Sequence, residues 1–271
     1  MVRAVIRHSA RADLCHADDV SRTVRRRRND VRQYDDLEEQ WWDPRGEFAM
    51  LHWIARARAG LVPAAAHPRA VLLDLACGGG LMAPYALERG YVHVGIDITA
   101  SALRVAQQRG VGTVQGDVLL VPIQDDSVDV VTVGEILEHV SDPMAVIREA
   151  VRVLRPGGRI VIDTIADTWQ ARLLAVAVAE RIPGLAPRGI HDPDLFIDRQ
   201  QLVQQCEELG IALRIQGLRV DLRSLAKWRR GTIGAARMVA TRSTAVVFQA
   251  WGYKPGAQSV LDEWVQWKES V

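Results

Sequence analysis

A strand that runs into three consecutive glycines constrains this chain more than any other segment. Residues 71–77 read Val-Leu-Leu-Asp-Leu-Ala-Cys, and Gly78, Gly79 and Gly80 follow before a helical pattern begins. Glycine lets the backbone approach a ligand closely, and the next helix offers unpaired N–H groups in its first turn. No Gly-Lys-Ser/Thr follows, and the glycine spacing misses the Gly-x-Gly-x-x-Gly dinucleotide fingerprint. The segment therefore predicts a ligand site at the end of a buried strand, distinct from a P-loop.

Composition excludes several classes of protein. The chain has 271 residues, 48% of them hydrophobic and 25% charged, and its formal net charge of +1 gives no global attraction to nucleic acid or anionic membrane. Cys15, Cys77 and Cys206 are widely spaced and form no metal or disulfide pattern, which suits a reducing compartment. No apolar stretch reaches the roughly 20 residues of a membrane span, and the first residues lack the apolar core of a secretory signal. We therefore expect a cytoplasmic protein.

Strand-like and helix-like segments alternate from about residue 70, as is typical of a parallel α/β sheet. Strands are expected at 70–76, 91–97, 111–116, 128–134 and 158–164, and helices at 81–89, 99–109, 135–140 and 143–154. After residue 165 the pattern changes to an apolar helix at 168–182, a proline-containing loop, a helix at 198–209 and strands near 211–221 and 243–252. The sequence predicts a Rossmann-like α/β sheet, mostly parallel with helices on both faces and a late antiparallel strand.

One domain accounts for most of the chain. We assign 31–255 to it, with an aromatic-rich helical lid at its start and an apolar helix insertion near 168–195. Residues 1–30 are rich in arginine and lack apolar periodicity, so we expect a flexible extension rather than a nucleic-acid-binding arm. Residues 256–271 form a tail.

Three acidic residues follow successive predicted strands. Asp74 closes the first strand, Asp97 the second, about twenty residues after the glycine turn, and Asp117 the third. In nucleotide-binding α/β folds a carboxylate at the second position accepts hydrogen bonds from ribose hydroxyls, and Asp117 is placed to meet an adenine amino group. Each residue alone could simply cap a helix. Three of them on one side of a glycine turn favour a nucleoside-containing ligand.

Glu135, Glu138 and His139 follow the fourth predicted strand. On a helix they would stand at i, i+3 and i+4 and share one face. Two carboxylates and an imidazole can bind a divalent cation, or His139 can act as a general base toward a hydroxyl group. A plain surface pair of glutamate and histidine is the third interpretation. His191, in the loop after the apolar helix, could complete a metal site.

Together these segments resemble the class I, S-adenosylmethionine-dependent O-methyltransferases of ubiquinone biosynthesis over most of residues 34–255. The resemblance rests on Trp41-Trp42-Asp43, the 73–80 segment, Glu135-Ile-Leu-Glu138-His139, the Leu154-Arg-Pro-Gly-Gly158 turn and the Gly189-Ile-His191-Asp192 loop. The Trp-Trp-Asp segment and the Gly-x-His-Asp loop are the most specific of these. The arginine-rich segment around 222–240 and the last residues depart from the family pattern.

The resemblance implies a fold, a cofactor and a reaction. The family methylates a catechol-like hydroxyl on a prenylated ring, so it implies O-methylation of a small aromatic or vicinal-diol substrate. The predicted cofactor site comprises Arg58, Asp74, Ala76, Gly78, Gly80, Asp97, Ile98, Asp117, Val118 and Gly134. Family dependence on divalent metal, and similarity to the Mg²⁺ site of small-RNA 3′-end 2′-O-methyltransferases, imply Glu135, Glu138, His139 and His191 as ligands of magnesium, zinc or iron. Glu135, Glu138 and His139 are also the predicted catalytic residues.

Alternatives remain open at this point. The apolar helix at 168–182 could contact a membrane, line a substrate pocket or pack in the core. A metal-independent N- or O-methyltransferase of secondary metabolism would share the same cofactor site. An RNA 2′-O-methyltransferase would use the arginine-rich ends, although the near-zero net charge argues against a nucleic-acid partner.

Overall fold

A computed structural model describes residues 27–256. One sheet of eight strands organises them, in the order β3-β2-β1-β4-β5-β8-β6-β7. The strands are β1 Val71–Leu75, β2 Val92–Asp97, β3 Gly112–Gln115, β4 Val128–Gly134, β5 Leu154–Ile165, β6 Arg214–Val220, β7 Met238–Thr241 and β8 Val247–Tyr253. Strands β1 to β5 pair in parallel, whereas β8 pairs antiparallel with β5 and β6, and β7 pairs antiparallel with β6. The predicted fold class is confirmed, and its antiparallel portion contains three strands.

The helices connect these strands. They are α1 Arg32–Asp36, α2 Ala49–Ala59, α3 Ala83–Glu88, α4 Ala100–Gln107, α5 Pro143–Val153, α6 Trp169–Ala171, α7 Arg199–Glu208 and α8 Leu222–Arg229. A π-helical stretch, Arg172–Val178, and a 3₁₀ turn, Ala179–Arg181, continue α6, so the predicted helix at 168–182 is helical but mostly not α-helical. Asp142 and Asp198 begin α5 and α7 because their carboxylates accept hydrogen bonds from backbone amides of the first turn.

Alternating side chains of the central strands bury both faces of the sheet. Leu73 and Leu75 pack with α5 and α7 on one face, whereas Leu72 packs with α2, α3 and α4 on the other. A strand buried on both sides favours a nearly continuous apolar run, which the sequence shows at 71–75 with Asp74 as the one interruption. Within 27–256, none of the helices has the length and apolarity needed to cross a bilayer.

Two further parts of the sequence prediction differ from the structure. Residues 135–140 form a 3₁₀ turn, Leu137–His139, instead of a helix that begins at 135. Residues 27–30, which we assigned to the arginine-rich extension, lie against the loop after Arg181, and Asn29 N–H donates to the Gly189 carbonyl at 3.1 Å. Residues 1–26 and 257–271, including most of the predicted extension and tail, lie outside the described residues.

Candidate functional site

A cavity of about 360 Å³ opens at the carboxyl ends of β1, β2 and β4, beneath the segment that leads into α1. Parallel α/β sheets bind ligands at this edge because strand ends and helix starts converge there. Nine of the ten predicted cofactor residues line the cavity: Arg58, Asp74, Ala76, Gly78, Asp97, Ile98, Asp117, Val118 and Gly134. Gly80 does not line it. Of the predicted catalytic and metal residues, Glu135 and His139 line the cavity, whereas Glu138 and His191 do not.

The glycine turn lies directly against Trp41. A Cβ atom on Gly78 would stand 2.3 Å from the Trp41 ring, and Gly78 has a φ of +49°, which other residues rarely adopt. The neighbouring Trp42 indole donates a hydrogen bond to the Gly79 carbonyl at 2.9 Å. Gly80 instead allows the turn to pack closely on α4, because a Cβ there would lie 3.1 Å from Ala106. The Trp-Trp pair therefore closes over the turn, and Gly78 permits that contact.

Asp97 holds the end of β2 beside this turn. Its carboxylate accepts hydrogen bonds from the Gly78 amide at 2.9 Å and the Thr99 amide at 2.8 Å. Burial raises the pKa of Asp97, although these hydrogen bonds oppose the rise. A carboxylate has about four acceptor sites, so Asp97 can still accept a hydrogen bond from a ligand hydroxyl. Ile98 next to it is 56% exposed, which leaves an apolar face in the cavity wall for a flat ring to cover.

Asp74 and Asp117 occupy different environments in the cavity wall. Asp74 is buried, and the Thr132 hydroxyl donates to its Oδ1 at 2.5 Å. Asp117 is exposed, and one of its oxygens accepts from the Leu119 amide at 2.9 Å. Among residues 27–256 the other oxygen of Asp117 has no partner, so it can accept a hydrogen bond from a ligand amino group.

A buried ion pair supports the floor of the site. Arg58 Nε and Nη2 donate to the two carboxylate oxygens of Asp163 at 2.6 and 2.7 Å. Burial would lower the pKa of Arg58, but the charge and hydrogen bonds of Asp163 outweigh it and raise the pKa. The guanidinium lies flat on Gly134, where a Cβ would come within 1.8 Å of Arg58 Cζ. Gly134 is therefore required for the position of Arg58.

The segment after β4 places Glu135 and Glu138 differently from the predicted helix face. Glu135 adopts a φ of +51°, in the left-handed region, while its amide continues the sheet by donating to the Asp163 carbonyl at 2.9 Å. Glu138 is fully buried, and the Thr164 hydroxyl donates to its Oε2 at 2.6 Å. Burial raises the pKa of Glu138 to about 7 and raises that of Glu135 well above its usual range, with the Glu138 charge as the next cause. Both carboxyls therefore hold a proton more readily than surface carboxyls.

His139 is the imidazole of the cavity wall. Its Nδ1 lies 2.7 Å from Asn29 Oδ1, and its ring centroid lies 5.8 Å from that of His191. Burial, together with the charge of His191, lowers the pKa of His139 to about 3, so the ring is neutral at physiological pH. Within 27–256 its Nε2 has no hydrogen-bond partner, which leaves that lone pair available.

His191 belongs to a buried polar cluster behind His139. Its Nδ1 lies 3.4 Å from Glu180 Oε1, and Arg28 donates to the same carboxylate at 3.0 Å and to the His191 carbonyl at 2.6 Å. Burial would raise the pKa of Glu180, but hydrogen bonds from His191, Gly189 and Arg28 outweigh it and lower the pKa to about 2. Glu180 is therefore an anion that fixes the loop carrying His191.

The four predicted metal ligands lie in one region but do not converge. Within 27–256, Glu135 Oε1 and Glu138 Oε1 are buried without hydrogen-bond partners, a condition that a cation would relieve. Across the described part of the chain, however, no group of three or more His, Cys, Asp or Glu side chains is arranged to hold a metal ion. The present side-chain arrangement does not fit a metal site.

Sequence reasoning missed residues that the amino-terminal segment brings into the cavity, among them Asn29, Tyr34 and Trp41. Burial raises the pKa of Tyr34, and the charges of Asp97, Glu138 and Glu135 add to the rise. The aromatic run from Tyr34 to Trp42 was a visible signal for Tyr34 and Trp41. No sequence signal marks Asn29, which follows a run of arginines.

Comparison with curated proteins finds relatives along most of the chain. A protein of Idiomarina loihiensis named ubiquinone biosynthesis O-methyltransferase is 33% identical over 201 residues, which cover 70% of this chain and 82% of that protein. A protein of Hydrogenovibrio crunogenus with the same name is 30% identical over 212 residues, covering 75% and 88%. A family model described as a methyltransferase domain matches residues 73–162.

Solved structures show the same fold at lower identity. An S-adenosylmethionine-dependent methyltransferase from Archaeoglobus fulgidus has a TM-score of 0.56 and 15% identity, covering 82% of this chain and 99% of that one. Magnesium protoporphyrin IX methyltransferase from Synechocystis, solved with bound S-adenosylhomocysteine, has a TM-score of 0.55 and 14% identity, covering 83% and 95%.

Proposed function

The chain belongs to the ubiquinone biosynthesis O-methyltransferases, a family of S-adenosylmethionine-dependent enzymes, and we propose that it methylates a hydroxyl group of a catechol-like or vicinal-diol small molecule. One observation carries the proposal: the neutral His139 imidazole, with Nε2 unpartnered within 27–256, lies in the wall of the same cavity as the glycine turn and Asp97. The cavity thereby combines a nucleoside-binding edge with a base for a hydroxyl proton.

The cavity residues fit S-adenosylmethionine. Asp97 would accept hydrogen bonds from the ribose hydroxyls, and Asp117 would accept one from the adenine amino group. The exposed Ile98 and the buried Val118 would flank the adenine, and burying an exposed isoleucine side chain is favourable. The volume of about 360 Å³ lies within the usual range for ligand pockets.

The chain's own contribution to the chemistry is alignment and proton removal. When bound, S-adenosylmethionine supplies an electrophilic methyl carbon on a sulfonium, which the acceptor oxygen attacks as the carbon–sulfur bond breaks. His139 Nε2 accepts the proton that this oxygen loses, and the neutral state of the ring keeps its lone pair available. Transfer removes one positive charge from the donor and puts one on His139, so the net charge of the cavity is unchanged. Positioning both reactants in a closed site supplies the rest of the acceleration.

Transfer of a labelled methyl group from S-adenosylmethionine tests this proposal. The acceptor panel contains catechols, the same rings with a single hydroxyl, and matched aromatic amines. We expect label on a catechol oxygen, identified by mass spectrometry and by the O-methyl signal in the proton NMR spectrum. Labelling confined to amines would favour the alternative N-methyltransferase. Labelling of RNA that weakens steeply with salt would favour the RNA alternative.

A finer proposal is that a divalent cation assists the reaction. Its support is that, in the described part of the chain, one buried carboxylate oxygen of Glu135 and one of Glu138 have no hydrogen-bond partner, while the His139 and His191 rings stack 5.8 Å apart. The argument against a cation is that the carboxylates and imidazoles do not converge on one point within the described residues. For this reason no step of the proposed reaction depends on a metal. Repeating the transfer assay in EDTA, with Mg²⁺, Zn²⁺ or Fe²⁺ added back, separates the two cases. Loss and metal-specific recovery of activity would support the cation, and full activity in EDTA would refute it.

We also propose that the helical stretch 169–181 makes peripheral contact with a membrane. Trp169, Leu173, Leu174 and Val178 on the helical stretch 169–181 are 71%, 49%, 46% and 40% exposed. Side chains of this kind insert into the boundary between lipid headgroups and acyl chains, and a prenylated acceptor would reside there. Flotation with anionic vesicles tests the contact, with Leu173→Ser and Leu174→Ser as the disrupting change. Equal flotation of the variant would contradict it.

A further inference from the structure

Asn29 holds His139 at two points. Its Nδ2 donates to the His139 carbonyl at 2.9 Å, and its Oδ1 lies 2.7 Å from His139 Nδ1. A carbonyl oxygen can only accept a hydrogen bond, so Nδ2 must face it and Oδ1 must face the ring. Since Oδ1 also only accepts, the hydrogen between them is on Nδ1. Asn29 thereby selects one of the two neutral tautomers of His139.

The selected tautomer leaves its lone pair on Nε2. In a neutral imidazole one nitrogen is a donor and the other an acceptor. With Nδ1–H engaged by Asn29, Nε2 is unprotonated, and the ring that carries it lines the cavity. The opposite tautomer would present an N–H at that atom and could neither accept a proton nor bind a cation there.

Asn29 is itself held in place by the loop that carries His191. It adopts a φ of +56°, a left-handed conformation that asparagine tolerates better than most residues, and its amide donates to the Gly189 carbonyl at 3.1 Å. The preceding Arg28 donates to Glu180 at 3.0 Å. The segment is therefore anchored at Arg28 and at the Asn29 backbone, and the asparagine cannot simply follow movements of the His139 ring.

We infer that Asn29 is a positioning residue that fixes the tautomer and orientation of His139, so that Nε2 is the atom presented to the acceptor. Groups that hydrogen-bond the far nitrogen of a functional histidine commonly set its tautomer in this way. The inference rests on the proposed function only for what Nε2 does in the reaction. The tautomer itself is a property of the unliganded protein.

Nitrogen-15 NMR of the histidine rings tests the inference without any substrate. The chain has seven histidines, and the His139 signals are assigned by their absence in His139→Gln. At pH 8, above the ordinary imidazole pKa of about 6.5, we expect Nδ1–H and an unprotonated Nε2 in the natural protein. Asn29→Gly removes both hydrogen bonds and accepts the positive φ without strain, so it should shift His139 toward the Nε2–H tautomer.

Two further variants test whether Asn29 acts on the His139 ring directly or only by holding its own segment of chain in place. Asn29→Asp keeps an acceptor opposite Nδ1 and should retain the Nδ1–H signal. Gln33→Ala removes the hydrogen bond of Gln33 Nε2 to the same Gly189 carbonyl, at 3.3 Å, without touching His139, and should also retain it. An Nε2–H tautomer in the natural protein, or an unchanged Nδ1–H signal in Asn29→Gly, would overturn the inference.

Kinetics then show what the tautomer contributes. With the acceptor found above, Asn29→Gly should lower kcat about 10- to 100-fold, while the Kd for S-adenosylhomocysteine stays the same. A shifted tautomer with unchanged kcat would support the positioning of the ring and contradict the proposed role of Nε2. Failure of the positioning inference can therefore be told apart from failure of the proposed role of His139 Nε2.

Discussion

Replacing Asp163 by asparagine should destabilise the fold strongly, because it leaves a cation buried without an anion. The Arg58 side chain is 9% exposed and that of Asp163 is 0% exposed, and two hydrogen bonds of 2.6 and 2.7 Å join them. Asparagine keeps the shape but turns one acceptor into a donor that faces the guanidinium. Removing one member of a buried pair typically costs about 3–5 kcal/mol. That is a large part of the roughly 5–15 kcal/mol by which domains are stable.

Urea unfolding, followed by circular dichroism, measures this loss, and a double-mutant cycle isolates the pair. Arg58→Met alone should also destabilise, since it leaves the Asp163 carboxylate buried. Arg58→Met with Asp163→Asn should lose much less than the sum of the single losses, because neither charge remains. A loss below about 1 kcal/mol in Asp163→Asn, or additive single effects, would refute the reasoning. The cavity floor should loosen with the pair, so Asp163→Asn should also bind S-adenosylhomocysteine more weakly.

Three further predictions concern the cavity and its surroundings. Burial raises the pKa of Glu138 from 4.5 to about 7, so the folded protein holds the Glu138 proton more tightly than the unfolded chain does. The stability gained from this protonated carboxyl is complete below pH 4.5 and is lost as pH rises through 7. In metal-free protein Glu138→Gln should be more stable than the natural protein at pH 8, by roughly 3 kcal/mol, and no more stable at pH 4.5; equal urea midpoints at pH 8 would contradict this. Gly78→Ala should destabilise more than Gly110→Ala, because both glycines have positive φ but only Gly78 would clash with Trp41, at 2.3 Å; equal losses in thermal unfolding would count against that packing. Asp97→Asn should weaken S-adenosylhomocysteine binding about 10- to 100-fold in calorimetry, as expected for a hydrogen bond to a charged group, and an unchanged Kd would remove Asp97 from the ribose site.

Local patterns predicted the parallel half of the fold well. The mostly apolar segment 71–75 and the alternation of strands and helices to residue 165 need only neighbouring residues to specify them. Strands β1 to β4 form close to their expected positions, whereas β5 begins at Leu154, four residues before the expected 158. The short edge strand β7, Met238–Thr241, and helix α8, Leu222–Arg229, were not predicted. Strand β7 has only four residues and α8 only eight. Helix α8 is held by burial of Trp228 against Trp53, a contact between distant parts of the chain.

The candidate site likewise contains some residues that local sequence patterns predict and others that they do not. Asp97 and Gly78 are predictable, because each lies at or just after the end of a buried strand, and the ends of neighbouring parallel strands lie side by side. The conformation of Glu135 is not, since its left-handed φ follows from a hydrogen bond to Asp163 on the adjacent strand β5. Asn29 reaches His139 across 110 positions of sequence, a separation that no local pattern records.

The central claim is that this cavity transfers a methyl group from S-adenosylmethionine to a hydroxyl oxygen with His139 as the base. Single-turnover transfer in the natural protein and in His139→Gln, with the Kd for S-adenosylhomocysteine measured in both, tests it most directly. We expect an O-methylated product, a rate about 10²- to 10⁴-fold lower in the variant, and the same Kd. A variant that transfers at the full rate, or a product methylated on nitrogen or carbon, would contradict the account.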